Sequence, residues 1–115
     1  MRRRWRVVLA DAADVDFASI LEWTAEQFGK QQASTYAGVL LSAVDALEEG
    51  PGIIGVRRSP HLGRGLFIFH AARHGRRARH LLVFQAEDGA ATITILRILR
   101  DSMDIARHLP ETPED

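Results

Sequence analysis

The chain has 115 residues, a length that corresponds to a single domain. It contains no cysteine, which excludes disulfide bonds, cysteine-ligated zinc and cysteine nucleophiles. No apolar run approaches the ~20 residues of a membrane-spanning helix, and the apolar stretch at Val7–Ala10 is too short for a signal peptide. We therefore expect a soluble, cytoplasmic protein with one domain over residues 1–115 and a frayed polar tail over residues 110–115.

The formal net charge of zero hides an uneven distribution of charge along the chain. Between Val56 and His80 there are seven arginines and no acidic residue, whereas the flanking segments are acidic. Such a basic segment can attract an anionic partner, either an acidic peptide or a nucleic acid. The alternative is that folding brings acidic side chains beside these arginines and neutralises them.

Two amphipathic helices are predicted to follow a short strand at Trp5–Leu9. The second helix runs from about Gln31 to Glu49 and ends at a Gly-Pro-Gly sequence. Gly29 separates the two helices, so they should form an antiparallel helical hairpin. The apolar stripe of the first helix is Phe17, Ile20, Leu21, Thr24 and Phe28, with Trp23 beside Gln27 on its flank. The stripe of the second helix is Tyr36, Leu40, Ala43, Val44 and Leu47.

The second half of the chain predicts three strands. Leu66–Ala71 and Arg79–Gln85 flank a turn at Gly75, and Thr92–Leu99 forms the last strand. The connector over residues 50–65 is predicted to be a loop. The predicted order is β-α-α-β-β-β, an α+β fold in which the helical hairpin packs on a small, mostly antiparallel sheet.

The last two strands are apolar at successive positions, which predicts a sheet with two apolar faces. A small sheet with helices on only one side should instead alternate between apolar and polar residues. We therefore expect a partner to cover the second face, because large exposed apolar patches mark interaction surfaces. The alternative is that the helices and the C-terminal segment cover both faces.

The sequence carries no local motif of a small-molecule enzyme. His70 and His74 fall on a strand end and a turn with no carboxylate between them, so no metal site is predicted. Nucleophile elbows and phosphate loops are also missing, and no cofactor is predicted. What remains is a basic hairpin tip suited to bidentate pairing with phosphates or carboxylates, unless it is simply a solvated tip. Its arginines are Arg73, Arg76, Arg77 and Arg79.

Arg97 is a separate case, because strand alternation places it among apolar side chains. A charged group there must be paired or must lie at an opening. Asp101 and Asp104 are the expected local partners for a structural ion pair.

Nearly the whole chain resembles the ParE branch of the ParE/RelE toxin superfamily of bacterial type II toxin–antitoxin operons. The similar segments are ILEWTAEQFG, QASTYAGVLLSAVDAL, GLFIFHAARHGRRARHLLVF and ITILRILRDSMDIARHLP. The last segment is the most specific: Arg97, Ile98, Leu99, Met103, Asp104, Arg107, His108 and Leu109 match the family pattern. Arg100 departs from it, since a histidine is more usual at that position.

The resemblance implies a toxin that inhibits DNA gyrase by binding, without a catalytic residue set. It also implies a cognate antitoxin of the ribbon-helix-helix, ParD-like type that forms a hetero-oligomer with the toxin, and no sequence-specific DNA binding by this chain. The expected target contacts are Arg73, Arg76, Arg77, Arg79, Arg97, Arg100, Arg107 and His108. The expected antitoxin contacts are Trp23, Gln27, Leu82 and Phe84.

RelE-like members of the superfamily offer an alternative, because they cleave messenger RNA on the ribosome without a metal. In that case Arg97, Arg100 and His108 would surround the scissile phosphate. The single tyrosine of the chain, Tyr36, is predicted to lie in a helix, so the RelE residue set is not evident.

Overall fold

A computed structural model describes residues 4–58, 65–74, 77–103 and 105, apart from the side chains of Arg73 and His74. The tail over residues 110–115 lies outside this description. The two helices are α1 (Asp11–Phe28) and α2 (Lys30–Ala46), and α2 continues into a short 3₁₀ helix, Leu47–Glu49. The strands are β1 (Arg6–Leu9), β2 (Val56–Arg58), β3 (Leu66–His70), β4 (His80–Glu87) and β5 (Thr92–Arg100). None of the described helices is long and apolar enough to cross a membrane.

The five strands form one mixed sheet in the order β1-β5-β4-β3-β2. β1 runs parallel to β5, whereas the other neighbours are antiparallel. The α+β fold and the order β-α-α-β-β-β are confirmed, with one further strand, β2, inside the predicted loop. A strand of three residues carries no periodic signal, and β2 is defined by its pairing with Phe67–Phe69 of β3.

The main core lies between the helical hairpin and one face of the sheet. The α2 stripe is confirmed, because Leu40, Ala43 and Leu47 are fully buried and Tyr36 and Val44 pack against the same cluster. At the end of α2, Gly50 has a φ of +102°, and a Cβ atom there would lie 2.7 Å from Nε1 of Trp5. Glycine is therefore required at this position both by the backbone conformation and by the space available.

Leu82 and Phe84 belong to this main core, with 0% of each residue exposed. The prediction that they dock an antitoxin is wrong for this fold, because β4 directs both side chains beneath the helices. The other face of the sheet carries Ile68, Leu81, Val83 and Leu99, which are also buried and pack with Ile105. These four residues are buried within the chain itself, so they do not form the exposed apolar face from which a covering partner was expected; Ile105, just after β5, packs against them.

A bulge in β5 changes which side chains face the helices. Val83 pairs with Arg97 whereas Phe84 pairs with Ile95, so Leu96 is an extra residue without a partner in the ladder. Ile95 and Ile98 therefore share the helix-facing core, and Leu99 lies in the opposite cluster. Simple alternation, which groups Ile95 with Leu99, fails across this bulge.

Candidate functional site

A groove of about 1180 Å³ lies between the helical hairpin and the ends of β4 and β5. Its apolar part includes Ile20, Ile98, Leu99 and Met103. Its charged part consists of four arginines and two aspartates: Arg77, Arg79, Arg97, Arg100, Asp16 and Asp101. The fold thus combines an apolar floor with an excess of positive charge in one surface depression.

An aromatic pair stands at the α1 side of the groove. Trp23 is 47% exposed and Phe28 is 66% exposed, and their rings meet edge to face at 5.9 Å. The predicted apolar stripe of α1 includes Phe28, but this residue lies in the last turn of the helix and is exposed. The guanidinium of Arg100 lies over the Trp23 ring at 5.6 Å, within the range of a cation–π contact.

Tyr36 and His80 form a hydrogen-bonded pair at the inner wall of the groove. The Tyr36 Oη atom lies 2.6 Å from Nδ1 of His80 and accepts a hydrogen bond of 3.1 Å from the backbone N–H of Arg79. Their rings also meet edge to face at 5.5 Å. This pair ties α2 to the start of β4, so the backbone position of Arg79 is set by a helix residue.

The protonation states of this pair follow from its surroundings. Burial raises the pKa of Tyr36, which keeps its hydroxyl protonated. Burial and the nearby Arg100 charge lower the pKa of His80, which keeps its imidazole neutral. We assign the Tyr36 hydroxyl as the donor to Nδ1 of His80, because Oη already accepts the backbone N–H of Arg79, and this assignment puts the His80 proton on Nε2.

A second histidine contact closes the sheet end of the groove. His70 lies 3.0 Å from Asp101 through Nε2, and its Nδ1 accepts a hydrogen bond from the backbone N–H of Ala72. Because Nδ1 is an acceptor, Nε2 carries the proton and donates it to the carboxylate. This hydrogen bond lowers the pKa of the Asp101 carboxyl and engages that carboxylate within the chain.

Arg97 is held in a structural ion pair. Its Nε and Nη2 atoms donate to the two carboxylate oxygens of Asp16 at 2.7 and 2.9 Å. The carboxylate also accepts the backbone N–H of Ile98 at 2.9 Å. The prediction of a structural ion pair for Arg97 is confirmed, and its partner among the described residues is Asp16 on α1, whereas Asp101 contacts His70 and Asp104 lies outside the described residues. The Asp16 hydrogen bond raises the pKa of Arg97.

The structure brings together only some of the predicted site residues. Arg77, Arg79 and Arg100 line the groove, and among the described residues none of the three has an ion-pair partner. Gln27 is exposed on α1 but does not line the groove. The side chain of Arg73 and the residues Arg76, Arg107 and His108 lie outside the described part of the chain.

Sequence reasoning missed Tyr36, His80 and Asp16 as members of this site. The sequence pattern places Tyr36 on the apolar stripe of α2, and its sequence separation from His80 is 44 residues. The sequence contains no local motif that couples them. Within the described part of the chain, no group of three or more histidine or acidic residues is placed to hold a metal ion. The arginines and the exposed aromatic side chains of the lining give the groove the chemistry to bind an anionic, partly apolar partner.

Comparison with known proteins adds the family. The model of the "ParE toxin of type II toxin-antitoxin system, parDE" matches residues 7–105. No curated protein sequence matches this chain. Among solved structures, the chromosomal ParDE toxin–antitoxin system from P. aeruginosa is similar at 18% identity and a TM-score of 0.69, covering 85% of this chain and 97% of the other.

A second similar structure is the RelBE2 toxin–antitoxin complex from Mycobacterium tuberculosis, at 20% identity and a TM-score of 0.56. The match covers 87% of this chain and 94% of the other. At these identities, both structures show similarity of fold alone. The family model, in contrast, matches the sequence itself over most of its length. The chain therefore belongs to the ParE family of type II toxin–antitoxin toxins.

Proposed function

We propose that this toxin inhibits DNA gyrase by binding and that a cognate antitoxin neutralises it in a cytoplasmic hetero-oligomer. The observation that carries the proposal is the groove with Arg77, Arg79 and Arg100 at its border, none of them in an ion pair with a described residue. Exposed arginines around an apolar floor favour recognition of another macromolecule. Membership of the ParE family supports gyrase as the target.

Binding without catalysis is favoured by the state of the polar groups. Asp16 engages Arg97 through both Nε and Nη2, so that guanidinium is committed to the fold. Tyr36 and His80 are hydrogen-bonded to each other, and each has its pKa moved away from neutrality. General acid–base catalysis works best with groups whose pKa lies near the operating pH.

Ribosome-dependent RNA cleavage is the second candidate. The proximity of Tyr36 and His80 to Arg79 and Arg100 favours it, since a phosphate at the arginines would lie near two groups able to move protons. The similarity in fold to the RelBE2 toxin–antitoxin complex also supports it. Three residues were expected to surround the scissile phosphate: Arg97, Arg100 and His108. Arg97 is engaged by Asp16, Arg100 lines the groove, and His108 lies outside the described residues.

The antitoxin is proposed to be ParD-like and to contact Trp23 and Gln27. Trp23 is a large, half-exposed aromatic side chain next to the exposed Phe28, which together form an apolar patch on α1. Aromatic side chains of this kind are frequent anchors in protein interfaces. The toxin–antitoxin complexes among the similar structures support a partner of this class.

The test is gyrase supercoiling of relaxed plasmid in the presence of the purified chain. We expect inhibition with accumulation of cleaved DNA, and a weaker effect from the double variant Arg77→Ala/Arg79→Ala. Arg6→Ala/Arg57→Ala is the matched control, because it removes two exposed arginines that do not line the groove. Normal supercoiling together with messenger RNA cleavage by the folded chain would contradict gyrase inhibition and support ribosome-dependent RNA cleavage instead.

A further inference from the structure

We propose that His80, Arg79 and Arg100 form a carboxylate-binding corner that receives an acidic side chain of the antitoxin, next to an apolar side chain on Trp23 and Phe28. These three residues are called the basic corner below. The inference rests on the proposed antitoxin partner. It adds that the antitoxin segment in the groove carries an acidic side chain beside an apolar one.

The first argument is the hydrogen-bonding state of His80. Its Nδ1 accepts the Tyr36 hydroxyl, so Nε2 carries a proton. Among the described residues, no group forms a hydrogen bond to Nε2. Every fully buried side-chain nitrogen or oxygen of those residues has a partner, so Nε2 is reached by solvent, and His80 lines the groove. Its N–H is therefore oriented by Tyr36 and available to an acceptor.

The second argument is charge. Both carboxylates in the lining are engaged inside the chain, Asp16 by Arg97 and Asp101 by His70. Arg79 and Arg100 have no such described partner, and Arg79 is held in place through its backbone N–H to Tyr36. Arg79, Arg100 and His80 line the same groove, and His80 pairs with Arg100 across β4 and β5, so their donors are available to an anionic group that enters there.

The third argument favours a peptide over a nucleic acid. The groove beside the basic corner is partly apolar, and its exposed apolar side chains are Trp23, Phe28 and Met103. These side chains match the apolar side chains of an amphipathic peptide. A nucleic-acid strand would instead require positive charge along its phosphate backbone.

Carboxylate binding at the basic corner should be linked to protonation of His80. The charged and titratable neighbours of His80 lie on several elements. They are Tyr36 on α2, the preceding residue Arg79, Arg100 and Asp101 at the end of β5, His70 on β3 and Asp16 on α1. Arg100 is the largest charge influence and opposes protonation. A bound carboxylate adds a negative charge beside the imidazole, so binding should take up a proton and tighten as the pH falls.

The experiment uses Trp23 fluorescence in a Trp5→Phe background, because the chain has only two tryptophans. The probes are a short peptide of alternating leucine and glutamate, its leucine–glutamine counterpart, and an oligothymidylate. We expect the glutamate peptide to bind more tightly than the glutamine peptide. Its Kd should also fall as the pH is lowered from about 8 to about 6. The decrease is at most about tenfold for each unit by which the bound peptide raises the pKa of His80.

Two variants isolate the role of His80. His80→Gln keeps an N–H at the position of Nε2 but cannot titrate, so it should bind the peptide near pH 8 and lose the pH dependence. Tyr36→Phe removes the hydroxyl that holds the proton of His80 on Nε2, so it should weaken binding near pH 8 by several fold. Arg57→Ala, an exposed arginine on β2, is the control expected to behave as the parent protein.

Three outcomes would overturn the proposal: equal affinity for both peptides, an unchanged pH dependence in His80→Gln, or binding of oligothymidylate but not of the glutamate peptide. The last would assign the basic corner to nucleic acid. Loss of gyrase inhibition with intact peptide binding would instead contradict the proposed function alone, so the two failures are distinguishable.

Discussion

Asp16 on α1 accepts two hydrogen bonds from Arg97 and a third from the backbone N–H of Ile98. The register pairs β1 with β5 only as far as Ile95, so Asp16 provides the next acceptor along the β5 edge where β1 has ended. This contact fastens α1 to the strand that carries Arg100. The ion pair therefore joins two walls of the groove that are 81 residues apart in sequence.

Replacing Asp16 by Ala should destabilise the protein by roughly 1–3 kcal/mol, because it removes the carboxylate that accepts hydrogen bonds from Arg97 and from the Ile98 N–H in a partly buried setting. Urea unfolding provides the measurement. Asp14→Ala, an exposed acidic residue on the same helix, is the control and should cost about 0.5 kcal/mol or less. Equal losses in the two variants would contradict the structural role of Asp16.

Replacing Gly50 by Ala should lower stability by about 1–3 kcal/mol, through the strained positive φ and the approach of its Cβ to Trp5. Gly52→Ala is the matched control, because a Cβ there meets no atom within 4 Å. Thermal unfolding of both variants would compare them. A Gly50→Ala protein as stable as Gly52→Ala would mean that Trp5 does not pack against the end of α2.

Stability should decrease as the pH falls below the ordinary histidine pKa, because the folded state holds the pKa of His80 lower than the unfolded state does. As the pH falls, the unfolded chain binds this proton before the folded chain does. The contribution of His80 to the free energy of unfolding is therefore complete above about pH 6.5. It decreases as the pH falls from there to the lowered pKa of the folded state. Urea unfolding at several pH values would measure this slope. His80→Gln should reduce it, and an unchanged slope would exclude His80 as a source.

Replacing Trp23 by Ala should weaken neutralisation by the antitoxin by more than about 1 kcal/mol of binding free energy, as expected for an exposed aromatic anchor. The assay is rescue of growth when toxin and antitoxin are expressed together. Val15→Ala removes another exposed apolar side chain of α1 that does not line the groove, and it should leave rescue intact. Full rescue of a toxic Trp23→Ala variant would remove this residue from the docking surface.

The order of elements could be predicted because each helix or strand carries its own periodicity. The α2 stripe, the hairpin between the helices and the three longer strands of the second half follow from residues close in sequence. β2 could not be predicted, since three residues become a strand only by pairing with β3. The same limit applies to Phe28, whose helical spacing predicts an apolar stripe but whose place in the last turn leaves it exposed.

The sequence by itself determined that Arg97 must be paired or must lie at an opening, because a charge among apolar strand residues is too costly to leave alone. Only the tertiary structure decided that Asp16 is the partner, since the packing of α1 against β5 brings them together. Likewise, the apolar residues at successive positions of β4 predicted a sheet with two apolar faces, but the placement of the helices decided that Leu82 and Phe84 are core residues. The Tyr36–His80 pair arises in the same way, from two elements whose contact no local pattern encodes.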